Sequence, residues 1–120
     1  MKRHSIFQSF RFAFSGLRSM FRERNFQIEF AALLINLALI FLLELSPQDS
    51  AMILLICAAV LSAEIFNTAV EKICDFIQPS QDVRIKFIKD ISAGAVLLLA
   101  FAAIAAAILI YPKYLSVLFS

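Results

Sequence analysis

The sequence predicts an all-α integral membrane protein, with three transmembrane helices preceded by an amphipathic surface helix. Three observations predict it. The chain is 62% hydrophobic with a mean hydropathy of +0.87, far above the ~45–50% apolar usage of soluble domains. Its 120 residues make a single domain at most, and a domain that small buries only ~60–70% of its unfolded surface. So much apolar material cannot all enter one soluble core. The third observation is that the apolar residues fall in three stretches near the ~20 residues that cross a bilayer.

Residues 5–22 read SIFQSFRFAFSGLRSMFR. Ile6, Phe7, Phe10, Phe14, Leu17 and Phe21 recur on one helical face, while Arg11, Arg18 and Arg22 lie elsewhere on the wheel. A basic, Phe-rich amphipathic helix suits the headgroup plane. Packing on a soluble core is the other reading, and the apolar remainder of the chain weighs against it.

The first membrane helix is expected over residues 29–46, around the apolar run FAALLINLALIFLLEL. Ser46-Pro47-Gln48-Asp49-Ser50 reads as a tight turn, because proline cannot continue a helix. The second is expected over 51–77 and is broken by Gln78-Pro79-Ser80-Gln81-Asp82. The third is expected over 90–111 and ended by Pro112. The whole of 1–120 is one membrane domain, without repeat or linker.

Charge sets the orientation. Six of the eleven basic residues precede the first span, and Lys72, Arg84, Lys86 and Lys89 lie between the second and third. The first turn has none, and only Lys113 follows the third span. The positive-inside rule places the N-terminus and the 71–90 region in the cytoplasm. The first 28 residues scatter their six basic residues among apolar ones, unlike a cleavable signal, so the N-terminus is expected to be retained. A net charge of +2 without RNA-reading aromatic motifs gives no reason to expect nucleic acid. Cys57 and Cys74, on one helix, stand ~25 Å apart, too far to pair, and read as inert thiols. His4 reads as a solvated or interfacial residue, and no Cys/His metal cluster is present in the sequence.

Within the second span, Glu64, Asn67 and Glu71 stand at i, i+3 and i+7. They fall within roughly 60° of one another on the wheel, and Thr68 and Asp75 extend the stripe. One ionisable residue in a span costs ~2.5–3.5 kcal/mol on insertion scales, so such residues usually mark function. A structural seam is the alternative, with Asn67 and Thr68 hydrogen-bonding between helices. Two carboxylates on one stripe repel unless a cation or a proton joins them. A divalent metal at Glu71 and a proton-accepting Glu64 use both. Lys89-Asp90 opens the third span, and Glu23 closes the amphipathic helix on the same side. Each of these three is also readable as a solvated surface charge.

Phosphoryl transfer is a chemistry these groups could share, since it needs in-line positioning and charge neutralisation more than covalent participation. A carboxylate accepts the proton of the attacking alcohol, Mg²⁺ bridges phosphate oxygens, and a lysine stabilises the transferring group. The chain holds no GxxxxGK[ST] or GxGxxG loop, and Gly16 and Gly94 are its only glycines. A nucleotide site of the soluble-kinase kind is excluded.

Glu64-Ile65-Phe66-Asn67-Thr68-Ala69-Val70-Glu71, followed by Asp75, Lys89-Asp90 and Ala93-Gly94-Ala95, resembles the signature of the prokaryotic diacylglycerol kinase and undecaprenol kinase family. Ser9-Phe10-Arg11-Phe12-Ala13-Phe14-Ser15-Gly16 and Glu23-Arg24-Asn25-Phe26 match its other segments. The resemblance covers nearly the whole chain. It implies a bacterial inner-membrane lipid kinase, built as a homotrimer with active sites between subunits. It implies Glu64 as general base and Asn67 as a neighbouring catalytic residue. Glu23 and Glu71 match the carboxylates that hold Mg²⁺, and Lys89 and Asp90 match residues at the ATP phosphates and nucleotide. Two positions depart from the family pattern. Ser80-Gln81-Asp82 stands where the family often has Glu-Tyr-His, and Gln27 where it often has Arg.

The expected activity is therefore ATP- and Mg²⁺-dependent phosphorylation of a lipid alcohol in the bilayer. The Asn-Thr-Ala form and the Arg-Asn-Phe segment lean toward undecaprenol over diacylglycerol. A small proton-coupled transporter using Glu64 and a catalytically silent scaffold are the readings from other classes. Small exporters of that kind usually have four spans, and this sequence shows three. Reporter fusions are expected to place the N-terminus in the cytoplasm and the C-terminus on the opposite side. Both ends reporting one compartment would sink the three-span reading.

Overall fold

A computed structural model describes residues 5–120; His4 lies outside the described residues. It contains four α-helices, α1 (Ile6–Ser19), α2 (Arg24–Leu42), α3 (Pro47–Ile77) and α4 (Val83–Leu118), and a 3-10 turn at Met20–Arg22. The three later helices are each long and apolar enough to cross a membrane.

α1 begins with a capping box. The Ser5 hydroxyl accepts from the Gln8 N–H, and the Gln8 side chain accepts from the Ser5 N–H, satisfying two donors that a helix start leaves free. The helix buries no residue, and its Phe7, Phe10 and Phe14 are exposed in the isolated chain. This is the arrangement of a helix whose apolar side meets lipid. The expected 5–22 helix thus ends at Ser19 and tightens into the 3-10 turn.

The bend into α2 is rigid and aromatic. Phe26 is only 1% exposed, and the Phe21 ring meets Phe26 and Phe30 edge-on at 5.1 and 4.9 Å between centroids, a favoured aromatic geometry. Gln27 donates from its amide to the Phe21 carbonyl at 2.6 Å, so a neutral donor ties down the turn. Glu23 is fixed at the bend, at the N-cap position of α2.

The spans differ from the expected boundaries, each for a local reason. α2 starts at Arg24 and stops at Leu42, short of the expected 29–46. Glu44 adopts a left-handed φ of 52°, and the Leu45 N–H reaches back to the Ile40 carbonyl at 3.1 Å, a Schellman-type ending. The expected turn at Pro47 is instead the first turn of α3. Ser46 accepts from the Asp49 N–H at 3.2 Å, and proline at a first helical position loses no hydrogen bond. α4 starts at Val83, seven residues before the expected position, because the Asp82 side chain caps it by accepting from the Arg84 N–H at 2.8 Å.

Pro112 does not end α4, which continues to Leu118. The last turns are held from outside. The Tyr114 hydroxyl donates to Asp49 at 2.6 Å and accepts from the Ser46 N–H at 3.0 Å. Lys113 pairs with Asp49 at 2.8 Å. These bonds offset the one backbone hydrogen bond that the proline removes. Beneath them lies a cluster of Leu45, Ile53 and Ile110, flanked by Tyr111 and Cys57.

α3 is the central helix, packed against α4 and α2. At ~1.5 Å per residue, α3 and α4 are roughly 46 and 54 Å long, well beyond a ~30 Å hydrocarbon layer. Both therefore project past it. The Tyr111 hydroxyl donates to the Asn36 side-chain Oδ1 at 2.6 Å, joining α4 to α2 across 75 residues of sequence. Interhelical hydrogen bonds in membranes average ~0.6 kcal/mol and reach ~1.7. Tyr111→Phe is therefore expected to lower unfolding stability by about 1 kcal/mol, read from the loss of helical signal in an SDS titration. No change would show that this bond does not hold α4 to α2.

Candidate functional site

The polar stripe of α3 is assembled as its helical spacing implies. Glu64 and Asn67 are 6% and 7% exposed, the only buried polar or charged residues among those described. Glu71 follows one turn later and is exposed. The Asn67 amide donates to Glu71 Oε1 at 3.3 Å. That bond fixes which way the amide faces, and it leaves Asn67 Oδ1 buried without a hydrogen-bond partner. A buried acceptor left unmade costs about 1–3 kcal/mol, so this oxygen is a place for a donor to arrive.

The charges that act on Glu64 are Glu29, on α2, and Glu71. Glu29 was not among the residues singled out from the sequence. It stands on the second turn of α2, and the rule that a carboxylate in an apolar span needs a reason applies to it as it does to Glu64. Its influence on Glu64 becomes visible only when the two helices are packed.

Toward the C-terminal end of α3, three ion pairs lie beyond the stripe. Glu23, at the α1–α2 bend, faces Lys72 of α3 at 3.8 Å. Lys89 of α4 donates to Asp75 of α3 at 2.6 Å. Asp90 is paired with Lys86 one turn earlier on α4. Glu71 and Asp75 both act on Lys89. The structure therefore gathers Glu64, Asn67 and Glu71 on one face and brings Lys89 within their field. Asp90 is turned outward to Lys86. Glu23 meets Lys72. No group of three or more His, Cys, Asp or Glu among the described residues could hold a metal ion.

Between the end of α3 and the start of α4 is an open cavity of about 540 Å³, lined by Gln78, Ser80, Gln81, Asp82, Lys86 and Lys89 among others. The altered segment 80–82 thus forms its wall. Arg84 hydrogen-bonds the Asp82 carboxylate and holds its pKa down to about 2. The cap of α4, and with it the cavity rim, keeps its charge as pH falls until it nears that value.

Comparisons with known proteins add to this geometry. A family model described as prokaryotic diacylglycerol kinase matches residues 11–111. An undecaprenol kinase of Bacillus subtilis (strain 168) is 37% identical over 110 residues, 90% of this chain and 89% of that protein. A diacylglycerol kinase of Synechocystis sp. (strain ATCC 27184 / PCC 6803 / Kazusa) is 34% identical over 117 residues, 95% of this chain and 67% of that protein.

Asn67 offers a clean test of site against structural seam. Leucine has a similar size and no acceptor to satisfy. Asn67→Leu is expected to leave unfolding stability unchanged or raise it by up to about 1 kcal/mol, because the orphaned oxygen is gone. A loss of more than about 2 kcal/mol in detergent unfolding would identify Asn67 as structural glue.

Proposed function

Because this chain belongs to the prokaryotic diacylglycerol kinase family of small integral-membrane lipid kinases, we propose that it transfers the γ-phosphoryl group of ATP to the hydroxyl of a membrane lipid alcohol at the cytoplasmic interface. Undecaprenol is the favoured substrate, on the form of Asn67-Thr68-Ala69 and Arg24-Asn25-Phe26; diacylglycerol is the alternative. The observation that carries the reading is a buried carboxylate, Glu64, beside an amide oxygen with an unused acceptor position.

A lipid alcohol attacks poorly while its proton is attached. In this reading Glu64 takes that proton as the oxygen closes on phosphorus. Its burial keeps bulk water away from the reacting oxygen. The Asn67 oxygen is left to accept from a second donor, since the hydroxyl's one proton goes to Glu64, and the Asn67 amide holds Glu71 in place. Lys89 neutralises the phosphate oxygens from the α4 side, and Asp90 meets the nucleotide.

Glu23 and Glu71 are the residues that would hold Mg²⁺. Their hard oxygens suit it, and Mg²⁺ is commonly bound by one or two carboxylates plus substrate phosphates. The Lys72 ammonium 3.8 Å from Glu23 supports a cation at that carboxylate. Mg²⁺, when bound with ATP, supplies neutralisation of the phosphate charge. A homotrimer fits the same reading. The stripe of one chain is covered only by its own α2 and α4, and neighbouring chains would close the site around two substrates of very different polarity.

The test is Glu64→Gln in purified protein supplied with Mg-ATP and, separately, undecaprenol and diacylglycerol. General-base catalysis contributes ~10²–10⁴-fold, so kcat is expected to fall by about that factor while ATP binding survives. Retention of more than about a tenth of wild-type kcat would refute the base assignment. Wild-type turnover with neither lipid would return the transporter or scaffold reading.

A further inference from the structure

We propose that Asp75 is a positioning residue for phosphoryl transfer, holding the Lys89 ammonium at the mouth of the α3–α4 cavity before ATP arrives. The proposal rests on Lys89 being a phosphate ligand, as read above. Asp75 itself has no assigned part in that reading.

The pair is unlike its neighbours. Lys86–Asp90 is a local contact one turn apart on α4, and Arg84–Asp82 is a cap. Lys89–Asp75 instead spans 14 residues and links the last turns of α3 to α4 at 2.6 Å. With Asp90 engaged by Lys86, Asp75 is the one carboxylate paired with Lys89 among the described residues. Lys89 is also the less exposed partner, at 36% of its side chain against 60% for Asp75. Its flank is thus settled against protein while the carboxylate faces water.

Stability is a poor explanation for such a contact, because exposed ion pairs contribute little to folding. Orientation is a better one. A lysine has many rotamers and loses that freedom when a ligand fixes it. An ammonium carries three donors. One goes to Asp75 Oδ1, leaving two for phosphate oxygens. Lys89 also lines the cavity between α3 and α4. Asp75 thus preorders the cation on the cavity wall, and its cost of ordering does not fall on nucleotide binding.

The test compares Asp75→Ala, Asp75→Asn and Asp75→Glu with Lys89→Met and the double variant Asp75→Ala/Lys89→Met, all as the full-length protein. Asp75→Ala is expected to raise KM for ATP roughly three- to tenfold. The lipid KM should be unchanged, and the thermal midpoint should match wild type. Asp75→Glu, which keeps the charge, should recover most of the loss, and Asp75→Asn less. In the Lys89→Met background, Asp75→Ala should add nothing. Should Asp75→Ala fail to fold, Asp75→Asn, which keeps the side-chain shape, carries the comparison. Full additivity in the double variant, or an unchanged KM for ATP in both Asp75→Ala and Asp75→Asn, overturns the proposal. If Lys89→Met itself leaves KM for ATP unchanged, the phosphate reading of Lys89 has failed first, and the proposal falls with it for that distinguishable reason.

Discussion

A carboxylate and an amide on an apolar membrane helix must be covered by protein, and the rest of this structure follows from covering them. Hydrocarbon offers no hydrogen bonds, so polar groups at that depth turn toward other helices. α3 carries Glu64 and Asn67 and is the helix that packs on both α2 and α4. Most other large side chains point outward, with Phe66, Leu55, Leu98 and Phe101 among those exposed in the isolated chain. An inside-out exposure of this kind is unfavourable in water and ordinary in lipid.

The two ends of the bundle solve different problems. At the Pro47 end, Tyr114, Asp49, Lys113 and Ser46 form a polar clasp over the Leu45, Ile53 and Ile110 cluster. At the other end the charges are arranged in pairs at the surface, with Glu23 against Lys72 and Asp75 against Lys89. In the clasp the Asp49 carboxylate is half-covered and takes both Lys113 and Tyr114, which suits a fixed joint. The second set is largely exposed, and exposed pairs contribute little to folding. Lys89 keeps two ammonium donors beside the one that Asp75 takes. The same elementary interaction thus serves as fastening at one end and as orientation of a side chain at the other.

The aromatic bend before α2 connects these regions to α1. Phe21, Phe26 and Phe30 fix the angle, and Glu23 sits within that bend. A family position often occupied by arginine is here Gln27, whose amide bonds the Phe21 carbonyl. The 80–82 departure acts elsewhere, lining the α3–α4 cavity and capping α4.

The sequence by itself determined the all-helical membrane class, the three spans and the stripe of Glu64, Asn67 and Glu71. These follow from local hydropathy and from the 3.6-residue period, which need no long-range information. The family was equally legible, because its motif is local. Helix ends were not. Pro47 and Pro112 read alike as breakers, yet one opens a helix under a Ser46 cap and the other is carried through by Tyr114 and Asp49. Only tertiary structure decided that, since the compensating bonds come from residues distant in sequence. It also decided the partners of the charges. Glu29 acts on Glu64, Lys72 on Glu23 and Asp75 on Lys89. Each brings together residues of separate segments, and that placement is set by packing that no local pattern encodes.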